Sequence, residues 1–177
     1  MSTSAAQMMV YVNGHLACIR ICGRANFTAS FDFRALSDEL VAKGFTCFIL
    51  DVTDCLLMDS TFLGILAGFG LKLAGPANGD SPGGSIEILN PNARISDSLE
   101  NLGIAHLFKM IRGNTTLAAE LANAAPLPCA NPSKADVTRT CFEAHQTLMS
   151  VDPANVVKFK EVTQFLAEDL KKLDGSK

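Results

Sequence analysis

The sequence lacks an excess of positive charge. It has 15 Lys and Arg against 18 Asp and Glu, which gives a formal net charge of −3 and a pI near 5.6. Nucleic acids and anionic lipid surfaces attract proteins through basic patches. We therefore expect no nucleic-acid partner, and a protein partner recognised by shape and local contacts fits the composition better.

A membrane-spanning segment is also missing. The longest apolar stretch, Phe62 to Leu71, is interrupted by glycines and followed by Lys72, so it is too short to cross a bilayer. The N-terminal stretch MSTSAAQMMVYVNG has no basic region followed by a long apolar one, which a secretory signal would need. The sequence predicts a cytoplasmic protein without membrane insertion.

The six cysteines form no CxxC pair and no cluster with the three histidines. Such spacing indicates neither a metal site nor a redox motif and favours a reduced compartment. Cys18 and Cys22 lie on the same face of one strand pattern, where two buried thiols are the simplest interpretation.

Motifs for catalysis are absent too. No GxxxxGK[ST] loop is present, and GFGLKLAG does not fit GxGxxG. Asp51 and Asp54 could do acid–base work, but no His, Lys or Arg accompanies them locally, so loop capping or partner contact is favoured. We expect no catalytic residue, no cofactor and no enzymatic activity.

The first half predicts a hairpin and a helix. Met8 to Val12 and Leu16 to Cys22 have strand patterns, and Asn13-Gly14 between them favours a tight turn. A loop over Arg24 to Ala29 and a helix from about Ser30 to Ala42 follow.

The chain is organised around residues 45–75. The apolar run Phe45 to Leu50 ends at Asp51 and predicts a strand buried in the middle of a sheet. After it, Asp59-Ser60-Thr61 precedes an apolar helix that Asp59 or Ser60 can cap. A hydroxyl pair is thus predicted at a helix start beside the carboxyl end of a central strand, where open α/β sheets tend to place function.

Further elements complete an α/β pattern. Turn residues crowd Gly75 to Gly84, and Ser85 to Leu89 is a predicted strand. A helix (Asn92 to Asn101), a short strand (Leu107 to Ile111) and a helix (Thr115 to Ala124) follow. This alternation predicts a mixed sheet flanked by helices.

The C-terminal third predicts a separate unit. Residues 125–134 form a proline-rich linker between a domain at 1–124 and an αα-hairpin at 135–177. Each helix of the hairpin has one apolar face, so a third surface must cover them. Docking on the same chain is favoured because the connection is short, and a homodimer is the second alternative.

Two stretches resemble the STAS domain family of anti-sigma-factor antagonists. LDVTDCLLMDSTFLGILAG resembles the family's strand, Met-Asp-Ser-Ser/Thr turn and Gly-containing helix, and ILNPNARISDSLENLGIAHLF resembles its later strand, helix and next strand. The resemblance runs from about Met8 to about Ala122 and leaves the C-terminal hairpin outside.

The resemblance implies a bacterial regulator that works by partner switching. In such systems the unphosphorylated antagonist binds an anti-sigma factor, often a serine/threonine kinase, and phosphorylation by that kinase releases it. The family's phosphoacceptor maps onto Thr61, with Ser60 as the alternative. Members commonly have Gly after the acceptor, whereas this chain has Phe62, which is either part of a recognition surface or core. The predicted partner-binding residues are Asp51, Asp54, Asp59, Ser60, Phe62 and Gly64.

Two other functions stay open. A STAS module can serve as an unphosphorylated scaffold or subunit, for example in a lipid-transport or signalling complex. A small-molecule-binding regulatory domain is the other alternative, and it predicts a saturable nucleotide or lipid ligand.

Overall fold

A computed structural model describes residues 6–75, 83–113, 120–122 and 124–175. Its strands are β1 (Gln7–Asn13), β2 (Leu16–Ala25), β3 (Cys47–Asp51), β4 (Cys55–Met58), β5 (Ser85–Leu89), β6 (Lys109–Ile111) and β7 (Ala125–Pro126). Its α-helices are α1 (Phe27–Ala42), α2 (Ser60–Ala74), α3 (Ala93–Asn101), α4 (Lys134–Val151) and α5 (Ala154–Asp174), and a 3₁₀ turn covers Ala105–Leu107.

One mixed sheet organises these elements, in the order β6-β5-β3-β2-β1-β7, with β4 pairing to β2 off that path. The β1–β2 and β1–β7 pairs are antiparallel, and the others are parallel. Strand β3 lies between β2 and β5, as expected for a run that is apolar on both faces. The predicted α/β class, a mixed sheet flanked by helices with a C-terminal helical hairpin, is confirmed.

Some boundaries differ from the predictions. Asn13 pairs with Leu16, so the hairpin loop consists of Gly14, at φ 60°, and His15. Helix α1 begins at Phe27 because the Asn26 side chain accepts a hydrogen bond from the Ala29 N–H. The predicted loop through Ala29 was therefore too long.

Other predictions lie partly outside the described residues. This applies to most of the predicted helix Thr115 to Ala124 and to the middle of the loop Gly75 to Gly84.

The strand β4, which lies between β3 and α2 in the chain, was not predicted.

Helix α2 packs between the sheet and the C-terminal hairpin. On its sheet side, Phe62 and Phe69 pack with Phe33 of α1 and Phe48 of β3, with ring centroids 4.8–5.9 Å apart. On its other side it packs against α4, and α5 packs against α4. The hairpin is therefore docked on its own domain, and the predicted linker is tied to the sheet through the β7 pairing with Met9 and Val10.

Candidate functional site at the start of α2

The N-terminus of α2 is held by Asp59. Its backbone N–H donates to the carbonyl oxygen of Ala25 at the end of β2, 2.9 Å away. Its carboxylate accepts a hydrogen bond from the Phe62 N–H at 2.8 Å. Asp59 is thus the helix cap, and the Ser60 hydroxyl is free to bond elsewhere.

Ser60 bonds to a histidine from the C-terminal hairpin. Its Oγ lies 3.0 Å from Nε2 of His145, and Nδ1 of that ring lies 2.7 Å from the Cys141 carbonyl oxygen. A carbonyl can only accept, so Nδ1 carries a proton and, in the neutral ring, Nε2 accepts from the Ser60 hydroxyl. His145 is buried, and its ring packs against Phe159 at 5.0 Å.

This pairing was missed in the sequence, where His145 is isolated and no nucleophile–base arrangement is visible. The two residues are 85 positions apart. The available signal was the helical spacing of Cys141 and His145, which put both on the inner face of α4. The contact fixes the direction of the Ser60 hydroxyl.

Thr61 is covered by α4. Thr61 is only 5% exposed. Its Oγ1 donates a hydrogen bond to Cys141 Sγ at 3.7 Å. Burial raises the pKa of the Cys141 thiol, which the hydrogen bond from Thr61 partly offsets. The thiol therefore stays protonated at neutral pH, and the predicted phosphoacceptor has no open path to a kinase while α4 is in place.

Gly64 lies directly against the backbone of α4. A Cβ atom there would lie 2.4 Å from the Ala144 carbonyl oxygen and 2.8 Å from the Ala144 Cβ. One turn later, a Cβ at Gly68 would be 3.8 Å from the nearest atom of Thr147, an ordinary contact. The face of α2 that contains Gly64 and Gly68 thus packs against a helix of the same chain.

The interface interpretation of Phe62 is wrong. The residue has no exposed surface, and its ring packs 5.1 Å from that of Phe33. The α2 turn that aims Thr61 at α4 aims Phe62 at the sheet, because adjacent helical residues face about 100° apart. Phe62 is core.

The two strand-end carboxylates play different parts. Asp51 is 5% exposed, and its Oδ1 accepts from the Thr53 N–H at 3.1 Å and the Thr53 hydroxyl at 2.6 Å. Burial contradicts a partner contact through Asp51, and the loop-capping interpretation fits. The Asp54 side chain is 55% exposed and accepts from Arg20 at 2.6 Å. Arg20, contributed by β2, is the charge partner that the local sequence did not show.

The charged side chains of one groove are already paired with each other. A groove between α1, α2 and α4 contains four charged side chains, but these pair as Arg34 with Glu143 and Lys72 with Asp38. No group of three or more His, Cys, Asp or Glu in the described ranges could hold a metal ion. Among the described helices, none combines the length and apolarity that a membrane span requires.

Comparisons with known proteins give a fold but no close relative. No family model matches the sequence, and no curated protein is significantly similar to it. The fold does match solved structures. The anti-sigma factor antagonist SpoIIAA in its unphosphorylated form aligns at a TM-score of 0.52 and 20% identity, over 65% of this chain and 95% of that one.

Two further structures agree. An anti-sigma factor antagonist from Mycobacterium paratuberculosis gives a TM-score of 0.53 at 15% identity, over 69% of this chain and 96% of that one. The Bacillus cell fate determinant SpoIIAA in its phosphorylated form gives 0.50 at 19% identity, over 66% and 99%. This chain has a STAS-like fold.

The STAS-like domain accounts for the resemblance seen in the sequence. Each solved structure is covered almost completely, whereas about a third of this chain is left over. The C-terminal hairpin fits that remainder. Helix α4 of that hairpin is the element that covers the hydroxyl pair.

Proposed function

We propose that this protein is a bacterial STAS-domain regulator, an anti-sigma-factor antagonist that acts by phosphorylation-controlled partner switching. One observation carries the proposal: Ser60 and Thr61 occupy the first turn of α2 in a STAS-like fold. Solved neighbours include one antagonist in both unphosphorylated and phosphorylated forms, which supports the same chemistry here. Thr61 is the proposed acceptor, with Ser60 as the alternative.

The physical effect of phosphorylation would be electrostatic. A phosphoryl group adds about −1.5 to −2 charges and three acceptor oxygens. It would lie beside the Asp59 carboxylate that caps α2, which repels it, and at a helix start, which favours it. The docking surface would therefore differ sharply between the two forms.

The proposed partner is an anti-sigma factor that is itself a serine/threonine kinase. It would supply ATP and magnesium, while this chain supplies the acceptor hydroxyl and the docking face and performs no catalysis. All six cysteines are free thiols, which supports a reduced compartment, and we place the exchange in the cytoplasm.

The test is a kinase assay with the partner recovered by pull-down from the native cell. Mass spectrometry of the peptide holding Ser60 and Thr61 should find one phosphate in the wild type and none in Thr61→Ala. Thr61→Asp should bind the partner more weakly than the wild type does. Equal phosphate incorporation into Thr61→Ala would move the acceptor to Ser60.

A second candidate function is an unphosphorylated STAS scaffold or subunit of another assembly. The burial of Thr61 under α4 favours it. It predicts a stable partner complex whose affinity ATP does not change. The same assay separates the two functions, because only the antagonist loses its partner when ATP is added.

A further inference from the structure

We infer that the α4–α5 hairpin is a removable cover, and that the hydroxyl pair of α2 becomes accessible only when α4 leaves it. The use of the uncovered face for partner switching rests on the proposed function. The cover itself rests on the contacts between α2 and α4 alone.

The cover is closed by contacts at consecutive turns of α2. Ser60 hydrogen-bonds to His145, Thr61 donates to Cys141, and Gly64 lies against the backbone of Ala144. All three contacts come from a single face of α4. A kinase or a partner helix therefore cannot approach this face of α2 without displacing α4.

The buried face of α4 has the residue composition of a contact that can open and close. Three of its five buried residues are polar; the five are Thr138, Thr140, Ala144, His145 and Leu148. Interfaces between parts of a chain that move relative to each other are typically more polar than a core. Small side chains cover the opposing face of α2, with Thr61, Gly64 and Gly68 in line.

The ends of the hairpin fit a hinged movement. Before α4, the Ala130 N–H donates to Asp32 of α1 at 2.9 Å, so the chain is anchored up to that point. Helix α4 then begins with its own capping box between Ser133 and Asp136, which satisfies N-terminal backbone donors within the hairpin itself. Residues 131–132, between the anchored segment and this cap, are thus the hinge.

Opening also breaks contacts made by α5. The Asn155 amide donates to the Leu102 carbonyl oxygen at 2.9 Å, and Lys158 Nζ donates to the Asn101 carbonyl oxygen at 2.7 Å. Between α1 and α4, Arg34 pairs with Glu143 on two half-exposed side chains. Water can replace each of these polar contacts once the surfaces separate.

Phosphorylation and the closed cover exclude each other. A phosphoryl group on Thr61, which is itself only 5% exposed, would place a dianion in the space held by the partly buried Cys141 thiol, where desolvation opposes charge. Because a modification that suits only one of two states shifts the population toward it, phosphorylation would hold the hairpin open.

The first experiment compares Gly64→Ala with Gly68→Ala. Both replace glycine by alanine on α2 and gain the same helix propensity, but only the Gly64 Cβ collides with α4. Alkylation of Cys141 is followed by peptide mass spectrometry. We expect it to be about tenfold faster or more in Gly64→Ala than in the wild type, with Gly68→Ala near the wild type.

The second experiment locks the cover with a disulfide. A Cβ at position 68 lies 3.8 Å from Thr147 Cγ2, so cysteines in Gly68→Cys with Thr147→Cys face each other across the α2–α4 contact, and mass spectrometry verifies that the disulfide has formed. The oxidised double variant should protect Cys141 from alkylation and, with the partner kinase, Thr61 from phosphate. Reduction should restore both rates.

The two readouts separate the cover from the function. Equal Cys141 alkylation in Gly64→Ala and Gly68→Ala, or no protection by the formed disulfide, would overturn the cover. Faster alkylation in Gly64→Ala without any phosphate on Ser60 or Thr61 supports the cover and rejects the phosphorylation switch.

Discussion

Ser60 and Thr61 are neighbours in the chain, yet the first turn of α2 sends their hydroxyls to different partners on α4. Ser60 reaches the ring of His145, and Thr61 reaches the sulfur of Cys141. Both partners come from one helix, so two adjacent donors are satisfied by two residues spaced one helical turn apart. Substitution of either hydroxyl therefore alters the contact with α4 as well as any acceptor role.

Phe62 carries the strongest residue-scale prediction. Because it is fully buried against Phe33, Phe62→Ala should lower the free energy of unfolding by about 3–5 kcal/mol. A thermal or denaturant melt measures this. Phe165→Ala is the matched control, since Phe165 is 69% exposed on α5 and its loss should change stability by less than about 0.5 kcal/mol. Equal effects for both variants would contradict the core assignment.

At the scale of elements, the sequence predicted those strands and helices whose positions are determined by a local residue pattern. The apolar run of β3, the strand β5 and the helix α2 have clear periodicity and clear ends, and the structure places them within a few residues of the prediction. Strand β4 has only four residues and no turn residues of its own, so its pairing with β2 could not be seen locally.

The candidate site likewise has one part that a local pattern predicts and another that depends on long-range contacts. Its position at the start of α2 follows from a local motif, and the cap at Asp59 was one of two local options. Its covering does not follow from any local pattern. His145 and Cys141 reach it from α4, and such long-range contacts depend on the tertiary packing of helices and strands.

Deletion of residues 134–177 tests the hairpin as an element. The buried core cluster includes Ala144 and Leu148 from the hairpin, and Val151 and Phe159 pack against it partly buried; all its other members lie in the domain, which should stay folded. Burial of Leu148 is worth about 1.5–3 kcal/mol, and we expect a loss of at least that size in a denaturant melt. Light scattering should show an unchanged oligomeric state. A change from dimer to monomer at an unchanged melting temperature would contradict docking within one chain.

At the scale of the whole molecule, the two faces of α2 have different roles, one in the core and one in the contact with the cover. The aromatic cluster on the sheet side of α2 gives the domain its core, while the polar and small residues on the other side meet α4. Helix α2 therefore lies between the stable sheet and the hairpin that we propose to be a removable cover. Changes on one face of α2 should alter folding, and changes on the other should alter access to the hydroxyl pair.

The buried thiols of the sheet lead to a prediction about alkaline pH. Burial raises the pKa of Cys18, beside Asp51, and that of Cys55, each from 9.0 to about 11. The folded state thus holds these protons more tightly than the unfolded chain does. The resulting stability is fully present below pH 9 and is lost as the pH rises toward 11, because the unfolded thiols ionise first.

Denaturant melts between pH 8 and pH 11 under reducing conditions check this pH dependence. The wild type should lose about 1–2 kcal/mol for each of the two thiols over this range. The double variant Cys18→Ala with Cys55→Ala is less stable at pH 8 but should fall less steeply. Cys47→Ala is the control, since Cys47 is exposed, and its curve should parallel that of the wild type. Parallel curves for the wild type and the double variant would show that other groups cause the alkaline loss.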